Sequence, residues 1–246
     1  MAVNIDTVYQ KVLAFANKEQ RGYITPQEFN LYADQAQKEI FEQYFYDLDQ
    51  RLRMTGNSEE YSDIIHNINE KIAIFEETTS ITGSGAIVAI DLYRLGTVTW
   101  TPANGFEMEI EEVQQNELLY MNQANLTRPT ADRRVYVRLK TELNLTTLIN
   151  ESKIRIYPIG LGMTTANVNC TYIRKPLQPA WGYFVIGDKA LYDPDPSKTT
   201  NFELHPAEES ELVYRILAFA GISMEKPGLT QAAVGMETTK VQQEKQ

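Results

Sequence analysis

The spacing of apolar residues changes period twice along this chain, and that alternation restricts the fold more than any other feature. Up to about residue 78, apolar side chains recur at helical intervals. From about 81 to 200 they fall in short β-branched and aromatic runs, and from Leu204 the helical interval returns. Helices at both ends have apolar faces that need burial, and they can provide it for one another. The pattern predicts an α+β fold, a helical bundle built from both ends of the chain with an inserted antiparallel β domain. The expected parts are an N-terminal helical part of the bundle (1–80), the β domain (81–203), a returning helix that completes the bundle (204–226) and an extended C-terminal arm (227–246). The 246 residues then hold one helical core with an insertion, rather than two independent domains.

Local signals sharpen this outline. Ile5, Val8, Val12, Leu13 and Phe15 or Ala16 make a short first helix. Thr25-Pro26-Gln27-Glu28 is a helix start: Thr25 caps, proline suits the first helical position, and Glu28 completes a capping box. Phe29, Ala33, Ala36, Ile40, Tyr44, Leu48 and Leu52 follow as one stripe, widened by Phe41 and Phe45. A third helix carries Tyr61, Ile64, Ile65, Ile68, Ile72 and Phe75. Strands are expected at 86–91, 94–100, 134–139, 153–157 and 166–174, with a helix on the sheet between Glu109 and Gln123. Val168, Cys170 and Tyr172 alternate with Asn169, Thr171 and Ile173, as a half-buried strand does. Prolines 176, 179, 194 and 196 punctuate a loop-rich return. Pro206 beside Glu208 and Glu209 opens the last core helix, which buries Leu212, Val213, Ile216, Leu217, Phe219 and Ala220 and stops at Gly221. Beyond Pro227 the chain is too polar to build a core of its own, so it reads as a mobile arm.

Composition bears on function mainly by exclusion. Acidic residues outnumber basic ones 33 to 23, for a net charge of -10. That balance argues against a chain whose task is gripping phosphate backbones. A single cysteine, Cys170, cannot form an internal disulfide or a cysteine zinc cluster, and two histidines leave little for metal or acid–base work. Neither a secretory signal nor a membrane-length apolar run is visible, so a soluble protein of a reducing compartment is expected, with no membrane partner. No cofactor and no metal site are implied.

Individual motifs read as structure more readily than as chemistry. Gly83-Ser84-Gly85 lacks the Lys-Ser/Thr of a phosphate loop and is a turn. Asp193-Pro194-Asp195 lacks the glycine and distal glutamate of a calcium loop. Glu107, Glu109, Glu111 and Glu112 crowd together as a wet acidic face. His66 lies off the apolar stripe, and His205 before Pro206 reads as a cap or loop residue. Arg128, Arg133, Arg134 and Arg138, interleaved with Tyr136, form the one basic cluster, and are assigned to a protein–protein salt-bridge surface rather than to nucleic acid. No catalytic residues emerge.

The middle of the chain carries a succession of short motifs: Asp91-Leu-Tyr-Arg-Leu95, Val98-Thr-Trp100, Ile154-Arg-Ile-Tyr-Pro158 and Val168-Asn-Cys-Thr-Tyr-Ile-Arg-Lys-Pro176, followed by the helix from Leu204 to Gly221. Over roughly residues 25–225 this resembles the head-to-tail connector (adaptor or ring) proteins of tailed bacteriophages, particularly short-tailed and crAss-like ones. The resemblance implies a structural virion protein at the head–tail junction, assembled in the host cytoplasm, with no enzymatic activity. It implies a dodecameric ring of the chain itself, seated under the portal protein, with further ring or tail proteins as neighbours. The C-terminal arm would lie along the portal, with Leu229, Val234, Met236 and Val241 as apolar anchors. DNA would pass such a channel without specific binding, which an acidic chain suits. Two other readings stand beside it. One is a tail or fibre-attachment structural protein; the other is a virion-associated hydrolase using Glu109, Glu112 or Asp193.

Overall fold

The computed structural model describes residues 3–17, 24–53, 59–81, 86–87, 91–102, 105–139, 142–144, 149–158, 168–187, 189–223 and 227–244. The fold is mixed α+β, in two compact units. One comprises Met1–Ile74 with Pro176–Gln246, and the other Phe75–Lys175. The inserted unit is thus shorter than the 81–203 expected, because the proline-rich return belongs to the helical unit. The helices are α1 (Ile5–Asn17), α2 (Pro26–Arg53), α3 (Glu59–Ala73), α4 (Gln115–Gln123), α5 (Glu209–Ser223) and α6 (Pro227–Glu244).

In the helical unit, α2 starts at its capping box. The Glu28 N–H donates to Thr25 Oγ1 (3.3 Å), while Glu28 Oε2 accepts from the Thr25 N–H (3.0 Å) and hydroxyl (2.7 Å). Those bonds hold the Glu28 carboxyl below the ordinary glutamate range. Phe29, Ala33, Ala36, Ile40 and Tyr44 form the buried face, with Phe41 and Phe45 beside them. The stripe then runs out: Leu48 is half-buried and Leu52 exposed. Helix α1 buries Ile5, Val8, Tyr9, Val12 and Ala16 and leaves Phe15 exposed. On α3, Ile72 is buried while Ile64, Ile65 and Ile68 are only half-buried; the Tyr61 side chain lies outside the described residues. Phe75, placed on α3 by its spacing, follows the helix end as a fully buried turn residue.

The second unit is built on strands β1 (Glu76–Ser80), β2 (Ala86–Ile87), β3 (Leu92–Trp100), β4 (Met108–Glu112), β5 (Val135–Arg138), β6 (Glu142–Asn144), β7 (Ile149–Tyr157) and β8 (Val168–Arg174). They pair in the order β1-β8-β3-β4-β5-β7-β2, with β6 on β7. The expected all-antiparallel sheet is corrected at one place: β4 and β5 are parallel. The stretch 109–123, expected as one helix, splits into β4 and α4, and α4 is the crossover that a parallel pair requires. Glutamates flank a single buried residue on β4, Ile110, which pairs with Val98. With one buried residue in five, β4 carries too little apolar pattern to show as a strand in the sequence. One face of the sheet gathers Val98, Ile110, Tyr136, Ile154, Ile156, Val168, Cys170 and Tyr172. On the other, Val135 and Val137 of β5 receive Leu118 of α4. Strand β8 alternates in burial as its sequence predicts. Gly83-Ser84-Gly85 lies outside the described residues.

The return segment is sewn onto the helices by polar side chains. Buried Gln37 of α2 donates to the Leu177 carbonyl (2.7 Å) and accepts from the Glu203 N–H (3.1 Å). Asn30 accepts from the Trp181 N–H (2.8 Å), and Trp181 Nε1 donates to Asp6 (3.0 Å). Trp181 also packs on Tyr9 of α1 and stacks with Tyr183 and Tyr192. Those tyrosines lie on a hairpin, β9 (Tyr183–Ile186) and β10 (Lys189–Tyr192), that the sequence reading took as loop. Gly187 turns it at φ +63°, a conformation that glycine permits.

His205 caps the next turn as expected: its Nδ1 accepts from the Ala207 N–H (3.2 Å). A 3-10 turn, Pro206–Glu208, leads into α5, which runs past Gly221 to Ser223. Leu212, Val213, Ile216, Leu217 and Ala220 are its buried side, and it packs against α1 and α2. The expected extended arm is corrected as well. Residues 227–244 form α6, opened by Pro227 and packed along α5. Proline at the first helical position and the Ala232-Ala233 pair favour helix there, and Gly221 lets the two backbones approach.

Candidate functional site

The basic cluster lies in the β unit, around β5. Arg134 sits over the Trp100 ring, its guanidinium carbon 3.8 Å from the centroid, and its Nε donates to the Ala131 carbonyl (3.0 Å). Partial burial lowers the Arg134 pKa, with Asp132 pulling the other way; a guanidinium stays charged regardless. The parallel register sets Glu111 opposite Val135 and Glu112 opposite Tyr136. Arg133 therefore reaches Glu111 and Arg138 reaches Glu112, each at 3.8 Å and exposed. Such pairs contribute at most about 1 kcal/mol and leave the side chains open to other partners. Arg128 is exposed in the turn after α4, its N–H donating to Ala124 (3.1 Å). Two members of the acidic run, Glu111 and Glu112, and two of the basic cluster, Arg133 and Arg138, weighed separately in the sequence, thus meet across the β4–β5 pair.

Glu109 and Glu112 of the hydrolase reading stand three residues apart on β4, on opposite faces of the strand. Glu112 accepts from the Tyr136 hydroxyl (2.9 Å), and Glu109 pairs opposite Thr99. Asp193 belongs to the other unit, where it accepts from Lys198 (2.6 Å) and from the Asp195 N–H (3.2 Å). Those bonds hold the Asp193 carboxyl below its ordinary range, as expected of a turn. Cys170 is fully buried, and burial pushes its thiol up to about 11, the property of an inert core cysteine.

Of the four apolar anchors assigned to the C-terminal segment, Val234 and Met236 lie on α6 and stay 42% and 49% exposed. The side chains of Leu229 and Val241 lie outside the described residues. Among the described residues of α6, Ala233, not singled out from sequence, is the buried one.

The polar site that sequence reasoning missed lies in the helical unit. Glu208, Glu211 and Arg215 are all buried. Arg215 donates to Glu211 through Nε (2.9 Å) and through a terminal nitrogen (2.7 Å), and also reaches Glu39 (3.3 Å) and Gln43 of α2. Lys71 of α3 pairs with Glu208. From α6, Lys240 meets Glu208 (3.3 Å) and Glu211 (3.5 Å), and Glu237 meets Arg215 (3.3 Å). Burial disfavours charge on Glu208, but Lys71 and Lys240 outweigh it and hold the carboxyl below its ordinary range. For Glu211 burial prevails over Arg215 and raises the carboxyl. A cavity of about 360 Å³ opens beside this network, walled by Ile40, Tyr44, Ile64 and Ile68. Every charge in the network has an opposite partner, so its chemistry is that of a fastening. Four helices and the 3-10 turn meet on it. The signal available in sequence was the i, i+4 pair Glu211–Arg215 on a helix otherwise apolar on that side.

No family model matches the chain, and no curated protein matches it in sequence.

Proposed function

We propose that the chain is a structural subunit of a head-to-tail connector ring in a tailed bacteriophage, docking on a portal protein through its C-terminal segment and continuing the DNA exit channel. The observation that carries the reading is the chain order. Helices from both ends share one compact unit, and the β unit is an excursion between them. The resemblance in the motif succession implies that same order. The docking segment is the helix α6 in the free subunit, with Val234 and Met236 outward and available to a partner. The arginines around β5 supply a second polar surface, suited to a neighbouring subunit or ring protein.

Electron microscopy of the purified chain, alone and mixed with the portal protein of the same virus, tests this. A twelve-fold ring bound coaxially to the portal is the expected result. A three- or six-fold assembly would favour a fibre-attachment role and overturn the connector reading. Deleting residues 227–246 should leave a folded chain that no longer joins the portal.

A further inference from the structure

The way α6 is held differs from the way the other helices of its unit are held. Ala233 is the buried apolar side chain among the described residues of α6, and its neighbours Val234 and Met236 face outward. Among the described residues the seat is specified by backbone proximity and by charge. A Cβ on Gly221 would stand 2.6 Å from Thr230 Oγ1 and 3.0 Å from the Thr230 nitrogen, so a glycine is what lets α6 lie against α5. Lys240 then reaches Glu208, Glu211 and the Ala207 carbonyl (3.3 Å), and Glu237 reaches Arg215.

The partners left behind are already matched. Without α6, Glu208 retains Lys71, while Glu211 retains both hydrogen bonds from Arg215. Arg215 further retains Glu39 and Gln43. The departing side chains are one cation and one anion, so the buried network stays balanced when they go. A buried charge stranded without a partner is the usual barrier to moving an ion-paired helix, and this arrangement avoids it. Helix α5 packs against α1 and α2 as well as against α6, so it keeps two helical neighbours when α6 leaves.

We propose that α6 is a releasable latch, seated on α5 in the free subunit by Gly221–Thr230 contact and the Lys240 and Glu237 ion pairs, and able to leave without unfolding the core. That the released helix engages a portal rests on the connector reading above. The latch itself does not, because it is a property of the isolated chain.

Hydrogen exchange read by mass spectrometry on the full-length chain tests it. In Lys240→Glu, a like charge is brought against Glu208 and Glu211. The amides of residues 230–240 should then lose protection by at least about tenfold, while those of 212–220 keep theirs. Lys240→Arg should retain wild-type protection. Gly221→Ala, which forces a methyl against Thr230, should release α6 in the same way. If a variant fails to fold, the wild-type chain titrated from about 0.05 to about 1 M salt serves instead, with α6 protection falling and α5 protection constant. Loss of protection in both helices together would make α6 part of the core, and unchanged protection of α6 would remove the ionic clamp; either result overturns the latch. A chain that shows the latch but forms no ring would refute the connector reading alone.

Discussion

Replacing Arg215 by methionine removes the cation at the centre of the buried network while keeping most of the side-chain volume. Arg215 is 9% exposed and Glu211 3%, so the carboxylate left behind cannot rehydrate in place. Breaking a buried ion pair by deleting one partner costs about 3–5 kcal/mol. Two features move the expectation to the lower end. Glu39 and Glu237 keep 36% and 23% side-chain exposure and can turn to water. Lys240, 3.5 Å from Glu211, also takes up part of the lost attraction. A loss of about 3 kcal/mol is therefore expected, lowering the melting temperature of the helical unit by about 6–12 °C. The chain's two tryptophans make the measurement clean, because Trp100 lies in the β unit and Trp181 is buried in the helical one. In a Trp100→Phe background, urea unfolding followed by Trp181 fluorescence reports the helical unit alone. Replacing both Arg215 and Glu211 by methionine should return stability to within about 1 kcal/mol of the background, since a buried pair and a well-packed apolar pair are nearly equivalent. A single-variant loss below about 1 kcal/mol, or a double variant no better than the single, would refute the reasoning.

Other consequences are as specific. Thr25→Ala removes the cap of α2 and should cost about 1 kcal/mol in urea unfolding. Because Glu28 has a folded pKa below its unfolded 4.5, its stabilisation is present above pH 4.5 and fades as pH falls through the folded value; a carboxyl resonance titrating at or above 4.5 would contradict this. Gly96→Ala would place a methyl 2.7 Å from the Thr171 carbonyl oxygen at the bulge of β3, and about 1–3 kcal/mol should be lost from the β unit, read by Trp100 fluorescence. Burial and the Glu77 hydrogen bond raise the Tyr172 phenol from 10.0 to about 12. The folded state then holds a proton that the unfolded chain releases, so stability should fall as pH rises from 10 to about 12, and Tyr172→Phe should flatten that decline.

Helices were legible in the sequence where apolar spacing and a polar start signal coincided. The Thr25–Glu28 box and the five-residue stripe behind it place α2 correctly at its beginning, and β8 shows its period of two in both sequence and burial. Three illegible elements share one property: their place is decided by a partner distant in sequence. Strand β4 exposes four of its five residues and is held by pairing with β3 and β5, so its composition reads as helix. Strand β1, Glu-Glu-Thr-Thr-Ser, buries none of its side chains fully and exists through its ladder with β8. Helix α6 is sparse in apolar residues, and its seat is defined by a glycine on another helix. No window of local sequence contains these facts.

The same distinction changes what the net charge can be made to say. A count of acidic and basic residues is blind to position, whereas a passing polyanion such as DNA responds only to charges that reach the surface field. The buried network removes Glu208 and Glu211 from that surface, but Lys71 and Arg215 go with them, so these four charges cancel. Around β5, Arg133 and Arg138 are likewise offset by Glu111 and Glu112 at 3.8 Å. These pairs therefore take up none of the acidic excess behind the net charge of -10. Under the proposed connector role, an acidic excess of this kind would let DNA pass without being held. Had the buried carboxylates been balanced by backbone donors instead, the same sequence count would have overstated the field outside.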